Sequence, residues 1–82
     1  MASKPDRHVR AFGAAVRLRR EELGLSQEAL GYKAKIHRTY VSDVERGARN
    51  PTVRVIWKLA DALETKPSEL LTMAERALGR TL

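Results

Sequence analysis

Cysteine is absent from all 82 residues, and aromatic side chains number only four: one Trp, one Phe and two Tyr. The first absence excludes a disulfide framework, a thiolate nucleophile and cysteine-based zinc sites. The second leaves no stacking platform of the kind that readers of single-stranded RNA use. No run of residues approaches the ~18 consecutive apolar side chains that a membrane span requires. The N-terminus, MASKPDRHVR, lacks the hydrophobic stretch of a secretory signal. These exclusions give a cytoplasmic reading with no membrane partner, and a chain this short holds one domain. Such a chain buries only ~60% or a little more of its unfolded surface, so a second copy is a natural way to complete its small core. There is also no Gly-rich phosphate loop and no HExxH spacing, and His8 and His37 stand far apart without an acidic cluster. No catalytic residue, metal, cofactor or small-molecule ligand is therefore expected.

What the chain does have is positive charge, sixteen Lys and Arg against ten Asp and Glu for a net +6. Its distribution is uneven: residues 33–54 carry six basic and two acidic side chains, whereas residues 55–82 carry four of each. Clustered positive charge fits a polyanionic partner, because neutralising phosphates releases condensed counterions. Charge alone leaves a well-solvated basic surface as the alternative.

Apolar residues recur at intervals of three and four with no sustained β-type alternation, which predicts an all-α fold of five helices. The first opens near Asp6, after a loose tail over residues 1–6, and carries Val9, Phe12, Val16 and Leu23 on one face before stopping at Gly24. Ser26 starts a short second helix with Leu30 and Ala34 inward. A break over Lys35–His37 leads to a third, with Val41 and Val44 inside and Gly47 as its stop. After the polar loop at Ala48–Asn50, Thr52 caps a fourth helix marked by Val53, Ile56, Leu59, Ala60 and Leu63. Pro67 and Glu69 open a fifth, holding Leu70, Leu71, Ala74, Ala77 and Leu78 and ending at Gly79. The domain thus spans residues 7–79.

Between Gln27 and Arg46 the pattern is short helix, tight turn, short helix, with small Gly31 where the two would cross. The stretches Leu25-Ser26-Gln27-Glu28-Ala29-Leu30, Arg38-Thr39-Tyr40-Val41-Ser42-Asp43-Val44-Glu45-Arg46-Gly47 and Arg49-Asn50-Pro51-Thr52 resemble the phage-repressor-like (Cro- and Xre-type) helix-turn-helix family. Within it, His37-Arg38-Thr39-Tyr40 with Glu45-Arg46 is most similar to the controller proteins of restriction–modification systems. The chain departs from the family's habit at Lys35, where Gly is common in the turn, and at Gly31, where Ala is usual.

The resemblance makes residues 38–46 a recognition helix, with Arg38, Thr39, Ser42 and Asp43 projecting away from the Val41 and Val44 face toward base edges. Arg38 can bond guanine O6 and N7 together, at ~1–3 kcal/mol of discrimination, or meet a phosphate instead. Thr39 suits a thymine methyl or a polar base edge; Asp43 accepts from a cytosine amino group or orients a neighbouring arginine. His37 and Tyr40 reach either base or phosphate. Gln27 resembles the family's phosphate clamp at a helix N-terminus, with simple capping as the alternative. Arg46, Arg49 and Asn50 resemble the loop that family members lay along the DNA backbone.

Arg20 falls in register with Val16 and Leu23 on an apolar face, where an unpaired charge is costly. The resemblance supplies a partner in Glu45, giving a structural ion pair between the first and third helices; an Arg20 that snorkels to solvent is the alternative. Leu70, Leu71, Met73, Ala74, Ala77 and Leu78 offer more apolar surface than one stripe needs. The resemblance turns that surface, with Trp57, into a homodimer interface placing two recognition helices one DNA turn apart, ~34–36 Å. The resulting reading is a homodimeric regulator on a two-fold symmetric double-stranded DNA operator, with RNA polymerase as a further partner if it activates. An antitoxin or other protein-interaction adaptor on the same fold is the alternative.

Overall fold

Four of the five described helices begin where a preceding side chain offers an acceptor to backbone N–H groups that have no partner of their own. The computed structural model describes residues 6–79, and these form α1 (Arg7–Glu22), α2 (Gln27–Ala34), α3 (Arg38–Glu45), α4 (Val53–Ala62) and α5 (Pro67–Ala77). Asp6 Oδ1 accepts from the N–H groups of His8 at 2.7 Å and Val9 at 3.3 Å. Ser26 does the same for Ala29 at 3.0 Å and Thr52 for Val55 at 3.2 Å. Asp6 is thus the N-cap of α1, and residues 1–5 of the expected tail lie outside the described residues. At α5, Glu69 reaches back to the Lys66 N–H at 3.2 Å and takes the Thr65 hydroxyl at 3.1 Å.

The apolar stripes converge on one core containing Phe12, Val16, Leu30, Val41, Val44, Leu59, Leu63 and Leu70, all nearly or fully buried. The helix α1 is its spine, lying against α5 on one side and α3 on the other, while α2 bridges α3 and α4. Arg19 fastens the far end by donating from Nε to the Leu63 carbonyl, 2.9 Å, and from Nη2 to the Glu64 carbonyl, 3.3 Å. A cation is thereby placed on the C-terminal carbonyls of α4, where the helix dipole favours it.

Three positions depart from the sequence reading. Val53 is not on the buried stripe of α4 but 68% exposed; the helix begins to pack against the core at Val55 and Ile56. Leu70 and Ala74, assigned to a partner-facing surface, are consumed by the chain's own core beneath α1. Met73 and Leu78 also pack partly against that core, whereas Trp57, Leu71 and Ala77 remain exposed. The apolar surplus of α5 is thus smaller than its composition implies.

Candidate nucleic-acid interface

The third helix can present side chains to a partner only if its other face is held, and glycine provides the hold. A Cβ on Gly13 of α1 would collide with the backbone carbonyl oxygens of Val44 and Glu45, so only glycine allows the two backbones to approach this closely. Gly31 does the equivalent for α2, where a Cβ would stand 2.7 Å from the Ile36 carbonyl oxygen and 3.2 Å from the Arg38 nitrogen. Between α2 and α3, Lys35 takes the left-handed conformation at φ 59°, so the turn has the geometry glycine would give without its glycine. After α3, Gly47 at φ 74° lies under the Arg10 side chain, which leaves no room for a Cβ.

Arg20 and Glu45 meet as a two-pronged pair: Nε donates to Oε2 at 2.6 Å and Nη2 to Oε1 at 3.0 Å. Their side chains are 12% and 3% exposed, and Arg20 Nη1 also donates to the Leu25 carbonyl at 2.8 Å. The hydrogen bonds that Arg20 donates to Glu45 hold the guanidinium pKa above its ordinary value, outweighing the burial that opposes its charge. Gln27 completes the network with Nε2 on Glu45 Oε1 at 3.0 Å. The amide nitrogen of Gln27, a side chain read from sequence as a phosphate clamp or a cap, is therefore engaged by Glu45. A buried carboxylate needs donors, and this one ties the N-terminus of α2 to the end of α3.

The opposite face of α3 carries the remaining polar residues. Arg38 and Thr39 are exposed, Ser42 and Asp43 half-buried, and Val41 and Val44 fully buried behind them. His37 is exposed and caps the helix, its Nδ1 accepting from the Thr39 N–H at 3.0 Å, so that the donor of the neutral ring is Nε2. Tyr40 is half-buried, with the Arg49 guanidinium 4.7 Å above its ring. Arg46, Arg49 and Asn50 are all exposed just beyond the helix. An open groove of about 620 Å³ runs between the first turn of α2 and this face, lined by Ser26, Gln27, Arg38, Thr39, Ser42 and Arg46 among others. Sequence reasoning missed Gly13 and Arg19, since a glycine and an arginine within a helix announce neither a close backbone approach nor a cap on another helix.

A short helix locked from behind, a second helix N-terminus beside it and basic side chains in front define a DNA-binding helix-turn-helix regulator. The chain belongs to the helix-turn-helix family, whose model matches residues 16–70. It is 44% identical over 61 residues to the control protein C.BamHI of Bacillus amyloliquefaciens, covering 73% of this chain and 75% of that protein. Among solved structures, it is similar to the restriction–modification controller protein C.AhdI of Aeromonas hydrophila, with a TM-score of 0.74 and 45% identity over 76% of this chain and 94% of that one. The DNA-binding domain of the P22 C2 repressor superposes with a TM-score of 0.71 at 32% identity, covering 73% and 79%.

Proposed function

We propose that this chain is the controller of a restriction–modification system, acting as a homodimer on a two-fold symmetric operator in the cytoplasm. The observation that carries the DNA-reading part is α3 itself, whose Arg38, Thr39 and Ser42 face outward while the Arg20–Glu45 pair fixes its axis. The similarity to C.BamHI and C.AhdI supports the controller assignment. In this reading Arg38 is the principal base contact, with Thr39, Ser42 and Nε2 of His37 alongside it. Arg46, Arg49, Tyr40 and Asn50 follow the backbone and set affinity and salt dependence without reading sequence. The exposed remainder, Trp57, Leu71 and Ala77, with the edges of Met73 and Leu78, is the surface available to a second copy.

The protein works by binding, and its control follows from concentration, because dimer formation and operator occupancy both rise with its own level. Selection of bound duplexes from a random pool tests this reading. A two-fold symmetric site with half-sites about 10 base pairs apart is expected. A pool that yields no motif, with weak binding that is uniformly salt-sensitive, would contradict it. A reporter driven by the selected site then separates activation through RNA polymerase from repression by occlusion.

A further inference from the structure

One acidic side chain stands in the middle of the basic face. Asp43 Oδ1 accepts from Arg46 Nη2 at 2.5 Å, and Oδ2 accepts from Arg49 Nη2 at 3.4 Å. The carboxylate is 19% exposed, whereas the two arginine side chains are 64% and 50% exposed. The acid therefore sits beneath, with the guanidinium groups outside it. The Asp43 backbone carbonyl also takes the Ala48 N–H at 2.8 Å, tying down the start of the loop that carries Arg49. Arg49 in turn lies over the Tyr40 ring. Two long side chains from different segments, one at the end of α3 and one in the loop, are thus joined through a single carboxylate.

Two physical consequences follow. Long side chains lose conformational freedom when they engage a ligand, and an acid that already holds them removes part of that cost. The same carboxylate cancels one of the two local positive charges and weakens their undirected attraction to any phosphate. Both effects widen the gap between the operator and unrelated DNA. Asp43 borders the open groove, and each of its carboxylate oxygens is already engaged by an arginine, a geometry that suits holding those side chains more than reading a cytosine amino group.

We infer that Asp43 is a positioning residue that holds Arg46 and Arg49 as a fixed pair for neighbouring DNA phosphates and thereby sets the preference for the operator over unrelated DNA. The inference rests on the DNA-binding reading above. Its test uses the full chain as wild type, Asp43→Asn, Arg46→Gln/Arg49→Gln and the triple variant, each titrated with the selected duplex and a scrambled duplex over a salt series. Asp43→Asn is expected to weaken binding to the selected duplex by about threefold to tenfold. It should leave the scrambled duplex bound as tightly or more tightly, with a steeper salt dependence. In the Arg46→Gln/Arg49→Gln background the same substitution should change neither. Equal tightening on both duplexes would overturn the inference, because Asp43 would then only repel phosphate. A loss that persists without the two arginines would overturn it too, because Asp43 would then act on DNA itself. Nitrogen-15 relaxation of the arginine Nε–H groups in the free protein supplies a readout without DNA: Arg46 and Arg49 should be ordered in wild type and released in Asp43→Asn. No change there overturns the clamp alone, whereas a wild type that does not prefer the selected duplex overturns the DNA-binding reading beneath it.

Discussion

On the inner face of α3, Glu45 holds Arg20 through two hydrogen bonds; on the outer face, two residues earlier, Asp43 holds Arg46 and Arg49 through one each. Both are arginine–carboxylate networks on an eight-residue helix, yet their surroundings give them opposite uses. Glu45 is 3% exposed and its loss strands a buried guanidinium, so the inner pair fixes where α3 lies. The outer arginines are at least half exposed and water screens their attraction to Asp43, so this network adds little to stability and leaves guanidinium donors facing solvent. Burial, more than the identity of the partners, decides which ion pair builds the fold and which one works at the surface.

The largest expected effect breaks the inner side of this comparison. Glu45→Ala should destabilise the domain by about 3–5 kcal/mol, since Arg20 and Gln27 both lose their acceptor. Asp43→Asn should cost under about 1 kcal/mol, the usual worth of a surface pair. Thermal melting of the two variants side by side checks the contrast, and equal losses would erase it. Next in size is Gly13→Ala, which forces α1 away from the Val44 and Glu45 carbonyls and should cost about 1–3 kcal/mol. Denaturant unfolding measures it, and loss of Arg20–Glu45 coupling in that background would show that the glycine sets the pair's geometry. Lys35→Gly should act in the other direction, relieving a left-handed backbone at a non-glycine residue and stabilising by about 1 kcal/mol.

Smaller still is the response to acid. The N–H groups of His8 and Val9 hold the Asp6 carboxyl below its usual pKa, and the Lys66 N–H with the Thr65 hydroxyl does so for Glu69. Both groups therefore stabilise the folded state above the ordinary carboxylate range, and that contribution is lost as pH falls through their depressed values. Amide shifts in the first turns of α1 and α5 should move there, at lower pH than in the unfolded chain. Arg20, with its pKa raised by Glu45, stays charged throughout.

The inner face was the more legible of the two. Val41 and Val44 follow the helical period, and Arg20 is conspicuous as a charge in register with Val16 and Leu23, which leaves a partner or a snorkelling side chain as the options; the family resemblance singles out Glu45. The caps at Asp6, Ser26 and Thr52 were equally readable because capping is local chemistry. Gly13 was not, since nothing in a helix's own sequence says which other backbone will approach it. The surplus on α5 misled for a related reason. Its apolar residues surround much of the helix, and only the position of α1 decides that Leu70 and Ala74 go inward while Leu71 and Ala77 stay outside. Gln27 suits a phosphate or a cap by type alone, and nothing local to it announces that its amide nitrogen donates to the Glu45 carboxylate.

The most direct measurement is the binding of Arg38→Ala to the selected duplex and to its variants carrying each other base pair at every half-site position, together with its melting temperature. Discrimination lost at one position per half-site, by about 1–3 kcal/mol, with melting unchanged, is the predicted result. Full discrimination retained at every position, or a melting temperature that falls as it does for Glu45→Ala, would contradict the division of α3 into a held inner face and a reading outer one.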